Sequence, residues 1–165
     1  MPQSTQDQIR LALKSAEGLY HRLVLLVGPA GSGKTRAIRE LRDHLGTDVV
    51  NLNLSLSSEL LELTPRQRAL RLPAIVEKIV AEKQPTVLLD NLEILFEQSL
   101  QQDPLRLLQG LSRNHSVVAC WNGAVADGRL SYAELGHPEY RAYETTDLLL
   151  VTIDNTATID CTKNK

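Results

Sequence analysis

Along the chain, short apolar runs alternate with stretches in which apolar residues recur every three or four positions. Ile9, Ala12, Leu13 and Ala16 share one face of a predicted helix over residues 5–17, which Gly18 is placed to stop. Arg22 to Val27 (RLVLLV) is continuously apolar after its first residue, the pattern of a strand covered on both faces of a parallel sheet. A helix is predicted from Lys34 to Leu45, a second strand from Asp48 to Leu54, and a short helix from Ser57 to Leu63. Another helix is placed at Pro73 to Lys83, with proline in its permissive first turn. Thr86 to Asp90 (TVLLD) repeats the buried-strand signature. Leu92 to Ser99 and Pro104 to Arg113 read as helices, the second capped by Asp103. Ser116 to Trp121 is a fourth strand, Asn122 to Leu135 has no period and reads as a loop, and Leu148 to Ile153 is a fifth strand. Strands alternating with helices predict a three-layer α/β core with a parallel sheet of about five strands and its ligand at the carboxyl ends.

The chain has 165 residues, one domain's worth, assigned here to residues 1–154 with a polar tail at 155–165. A net charge of -2 supplies no global field for DNA or an anionic membrane, and 4% aromatic residues leave little for stacking single-stranded bases. No apolar run reaches membrane-spanning length, so no membrane partner is expected. Cys120 and Cys161 form no metal-binding or disulfide pattern, which points to a reducing cytoplasm. The four histidines pair with nothing nearby in sequence and are read as surface or turn residues.

Gly28-Pro29-Ala30-Gly31-Ser32-Gly33-Lys34-Thr35 matches G-x-x-x-x-G-K-[ST] at every fixed position, between a predicted strand and a predicted helix. Glycines at this spacing let backbone N–H groups converge on phosphate oxygens, and the helix N-terminus adds partial positive charge. Lys34, pictured in a solvent-filled loop, would reach the β- and γ-phosphates of ATP, and the Thr35 hydroxyl would ligate Mg²⁺. The second acidic ligand is expected at the end of a neighbouring strand, where Asp90 stands; a helix cap is its other reading. Directly after it, Asn91 occupies the position where many hydrolytic relatives carry glutamate, which counts against hydrolysis by the usual route. Asn91 can position water but cannot take a proton. Glu93 is the candidate base if the chain turns back there, and otherwise a solvated carboxylate at a helix start. Asn122 would lie beside the phosphate loop if its strand neighbours the first; alternatively Asn122-Gly123 is a turn pair.

Arg36, Arg39 and Arg42 are interleaved with Glu40 and Asp43, the mark of a solvated, ion-paired helix face. Arg66, Arg68 and Arg71 lie in TPRQRALRLP, read as a polar link, with no acidic residue among them; DNA or phosphate contact and simple solvation both fit. Arg129 and Arg141 fall between the fourth and fifth strands, where a neighbouring subunit's site could be reached, or where they pair with Glu134, Glu139 or Glu144.

The phosphate loop VGPAGSGKT, the stretch NLNLSLSSELLELTPRQRALRLP, the strand VLLDNLEILF, and the later DPLRLLQGLSRN and YAELGHPEY together resemble the BrxF family of type III BREX phage-defence systems, over about Leu23 to Tyr143. More broadly the strand pattern is similar to the AAA+ ATPase core. That resemblance implies Walker B and sensor-1 roles for Asp90 and Asn122, with Arg141 or Arg129 as an outward finger in a homo-oligomer. It also implies a cytoplasmic defence component working beside a large ATPase, a DNA methyltransferase and a phosphatase-like protein. The usual C-terminal helical lid is not expected in a chain of this length. Three functions remain open at this level: an ATP-binding regulatory subunit that hydrolyses slowly, a small-molecule kinase, and an interaction module that nucleotide merely stabilises.

Overall fold

The computed structural model describes residues 4–82 and 86–153. The predicted tail at 155–165, with Cys161, and the end of the helix predicted to Lys83 lie outside the described residues. The elements run α1 (Thr5–Ala16), β1 (Leu23–Gly28), α2 (Lys34–Leu45), β2 (Val49–Asn51), α3 (Leu52–Leu60), α4 (Pro65–Ala81), β3 (Thr86–Asp90), α5 (Pro104–Leu111), β4 (Ser116–Ala126), β5 (Arg129–Tyr132), β6 (Arg141–Glu144) and β7 (Leu149–Thr152). Two 3₁₀ turns, Glu93–Phe96 and Gln98–Leu100, bridge β3 and α5. Among the described residues no helix follows β7, and no helix is long and apolar enough to cross a membrane.

The core sheet is parallel in the order β2-β3-β4-β1-β7, as the buried apolar runs predict. Alternation along β1 divides the core: Leu23, Leu25 and Val27 face the layer containing α3, α4 and α5, while Val24 and Leu26 face α1 and α2. Helices on both faces explain why every residue of β1 is buried. Because β4 lies between β1 and β3, the phosphate-loop strand and the acidic strand are separated by the strand that carries Asn122.

The helix predicted over Leu92 to Ser99 is instead the two 3₁₀ turns, and three further regions differ from the sequence reading, each for a local chemical reason. The second strand stops at Asn51, whose side chain accepts from the Leu54 backbone and caps α3, which begins five residues earlier than predicted. TPRQRALRLP is the first half of α4 and no link: Thr64 and Gln67 form a reciprocal capping box and Pro65 takes the first turn. Pro73 therefore stands inside the helix, where it has no N–H for the Ala69 carbonyl four residues back. Gln102 Nε2 donates to that carbonyl at 2.9 Å in its place. The predicted loop after Trp121 is largely strand. Asp127 and Gly128, both at positive φ, make the two-residue turn of a β4–β5 hairpin, which β6 extends.

This hairpin is braced by the chain's only tryptophan and only phenylalanine. Tyr132 stacks on Phe96, with ring centroids 3.5 Å apart and planes within 7°, and Trp121 meets Phe96, Tyr132 and Tyr143 edge-on. Trp121 Nε1 donates to the Ser131 carbonyl at 3.1 Å across Gly123, where a Cβ would collide with that carbonyl. Gly123 is thus a close-approach position within a strand, and Asn122-Gly123 is no turn pair.

Candidate functional site

The carboxyl ends of β1, β3 and β4 open into a pocket of about 410 Å³ lined by Ala30, Gly31, Gly33, Lys34, Thr35, Asp90, Asn91, Glu93 and Asn122. It sits where a parallel α/β sheet binds its ligand. The loop Gly28–Thr35 enters α2 through Gly33 at φ 106°, a conformation that an L side chain resists. No side chain caps α2, so its first backbone N–H groups remain available to an anion.

Lys34 is buried rather than solvent-facing, correcting the sequence picture. Its Nζ donates to the carbonyls of Gly28 and Pro29, both at 2.7 Å, and approaches Ser32 Oγ at 3.4 Å. Burial lowers its pKa from the ordinary lysine value, and neighbouring Cys120, Asp90 and Glu93 oppose that shift. The loop thus holds its cation folded inward, where phosphate oxygens can exchange for the two carbonyls.

Thr35 Oγ1 donates to Asp90 Oδ2 at 2.8 Å, joining the first turn of α2 to the end of β3. The other carboxylate oxygen accepts the Asn91 backbone N–H at 2.8 Å. A hydroxyl and a carboxylate meeting beside a phosphate loop are the hard oxygen donors that Mg²⁺ takes while keeping several waters, so these residues fit that ion. Among the described residues, no group of three His, Cys, Asp or Glu side chains could by itself hold a metal.

Asn91 adopts φ 59°, which asparagine tolerates better than most residues. This turn reverses the chain after β3, so Glu93 lines the pocket three positions past Asp90. Asn53 secures the reversal: its N–H donates to the Asn91 carbonyl at 3.0 Å and its Oδ1 accepts from the Ile94 N–H at 2.8 Å. Asn122 pairs in register with Gly28, and its Nδ2 donates to Glu93 Oε1 at 2.9 Å. Glu93 Oε2 is buried without a hydrogen-bond partner among the described residues.

The candidates from the phosphate loop, β3, its following turn and β4 therefore converge. The arginines do not join them. Arg141 Nη2 donates to the Gln102 carbonyl at 2.7 Å, so the residue expected to project outward is tied to the segment before α5. Arg129 is exposed at the start of β5, opposite Glu144. Arg68 donates to the carbonyls of Leu61 and Leu63 at the end of α3, a structural task, while Arg66 and Arg71 are exposed on α4.

Sequence reasoning missed Asn53, Tyr132 and Cys120. Burial first, then Asp90, pushes the Cys120 thiol up, so it is a neutral group packed under the loop, with Sγ 3.7 Å from the Lys34 carbonyl. None of the three lies in a recognisable motif; they reach the site through chain reversal and strand pairing.

Residues 24–120 match the ATPase family associated with various cellular activities (AAA), over half of the chain, and the chain belongs to that family. It is an AAA+ ATPase-like nucleotide-binding domain. Among solved structures it is similar to AMPPCP-bound DnaA from Aquifex aeolicus, with 14% identity and a TM-score of 0.46, over 99% of this chain and 52% of that one. The chain thus spans about half the length of that structure. No curated protein matches the sequence.

Proposed function

We propose that the chain binds ATP with Mg²⁺ and hydrolyses it slowly, Glu93 acting as general base, as a regulatory subunit of a BREX-type phage-defence complex. The observation that carries the catalytic part is the Asn122–Glu93 pair: a carboxylate is held in the lining of the pocket although Asn91 stands directly after Asp90. Mg²⁺, held by Thr35 and Asp90, would supply charge neutralisation on the phosphates. In the step itself, the water oxygen bonds to the γ-phosphorus as the bond to the β–γ bridging oxygen breaks. The water's proton passes to Glu93, and ADP leaves with the electron pair.

The defence-complex part is supported by the sequence resemblance through VLLDNLEILF and YAELGHPEY. Charge supports a homo-oligomer as part of this reading: Lys34 is the one cation lining the pocket among the described residues, and a second from a neighbour is worth about 10³- to 10⁵-fold in such sites. Exposed Arg129 is better placed to be offered than Arg141, which is held by Gln102.

Calorimetric ATP binding, measured beside acceptor-free turnover over a range of protein concentrations, tests this reading. Binding with turnover per subunit that rises with concentration supports it. Binding with no turnover would leave a nucleotide-stabilised module, and turnover that needs an added acceptor would make the chain a kinase.

A further inference from the structure

We propose that Tyr132, on the β4–β5 hairpin, is a positioning residue for Glu93, its hydroxyl holding the buried oxygen of that carboxylate through one bridging water. The proposal rests on the reading of Glu93 as the base. Beneath the nucleotide pocket, Asp90, Asn91, Leu92, Glu93, Cys120, Asn122 and Tyr132 enclose a small polar cavity. About 10 Å³ is open there to the centre of a water molecule, room for one. A buried carboxylate oxygen with no donor is destabilising, so Glu93 Oε2 is an acceptor in want of a partner. The donors that line it are the Tyr132 hydroxyl, the amides of Asn91 and Asn122, of which Asn122 already engages Oε1, and the weaker Cys120 thiol.

Two further observations place Tyr132 in that task. Its ring is fixed by the face-to-face stack on Phe96, which belongs to the same 3₁₀ turn as Glu93, so base and hydroxyl share one rigid unit. Its hydroxyl is held un-ionised, pushed up to about 12 by burial and then by the charges of Glu93 and Glu139. With Oε2 anchored from below, Oε1, which Asn122 already engages, is the oxygen left to face the nucleotide.

Tyr132→Phe tests this because it deletes the hydroxyl and keeps the stack. We expect the fold and the KM for ATP to be kept, the melting temperature to drop by a few degrees at most, and kcat to fall about tenfold. Two readouts do not need turnover. A crystal structure that shows ordered waters should place one within hydrogen-bond distance of both Tyr132 Oη and Glu93 Oε2. The infrared carboxylate band assigned by its loss in Glu93→Gln should shift in Tyr132→Phe. Lack of that water, an unmoved band, or unaltered kcat in a protein that Glu93→Gln inactivates would each overturn the proposal. Should wild type not hydrolyse ATP, the general-base reading falls on its own, and density and band still decide the bridge.

Discussion

Asn122 on β4 and Glu93, in the 3₁₀ turn that follows the neighbouring strand β3, meet at 2.9 Å, an amide donating to a carboxylate. The contact is polar and half-buried, so its charge balance is sensitive to a single atom. Asn122→Asp would set two carboxylates against each other, and one would retain its proton well above the usual range. A raised folded-state pKa gives stability that is present at low pH and lost as pH rises through that value. The variant's melting temperature should therefore approach wild type near pH 5 and fall below it at pH 8, in a thermal series across pH. A deficit that is constant with pH would mean the new carboxylate has moved away from Glu93.

Lys34→Ala should weaken ATP binding by about 10²-fold or more, because the phosphates lose a charge-assisted partner. Since Lys34 also clamps the carbonyls of Gly28 and Pro29, the nucleotide-free protein should lose stability as well, by about 1–3 kcal/mol. Calorimetry and denaturant titration of one preparation read both effects. Full affinity in the variant would remove the phosphate-loop assignment.

Asp90→Asn keeps an acceptor for the Thr35 hydroxyl but removes the charge. ATP affinity in EDTA should stay near wild type while the gain on adding Mg²⁺ shrinks, an outcome seen by titrating ATP in both buffers. Equal loss in both would assign Asp90 to structure alone.

The Gln102–Ala69 bond predicts a coupled pair. Gln102→Ala strips the partner from a carbonyl that Pro73 cannot serve and should cost about 1–3 kcal/mol. In a Pro73→Ala background the helix supplies its own N–H, so the same change should cost clearly less. Chemical denaturation of the four proteins measures the coupling, and strict additivity would refute it.

How much of this was legible beforehand depended on how local the cause was. The phosphate loop, the buried runs Leu23 to Val27 and Thr86 to Asp90, and the Asp103 cap each carry their signal within a few residues, and each stands where the pattern placed it. Pro73 misled because its tolerance inside α4 depends on Gln102, 29 positions away in sequence. Asp127-Gly128 is a readable hairpin signal, but the stretch around it, residues 122–135, has no apolar period to mark the flanking strands. Arg141 was read by its place between strands, and only pairing of β6 with β5 shows its guanidinium turned toward Gln102. Glu93 needed the positive φ of Asn91, a backbone state that sequence alone does not specify.

Trp121 is the chain's single tryptophan, and it immediately precedes Asn122 on β4. Its indole is buried between the hairpin and the ring of Phe96, three residues from Glu93. Intrinsic emission excited at the indole band therefore originates at one place, one residue from Asn122 along β4 and against Phe96 of the turn that carries Glu93. The native protein carries its own optical reporter: nucleotide binding, exchange and any rearrangement of the Asn122–Glu93 pair can be followed in real time on unlabelled protein, without a fluorescent analogue in the pocket.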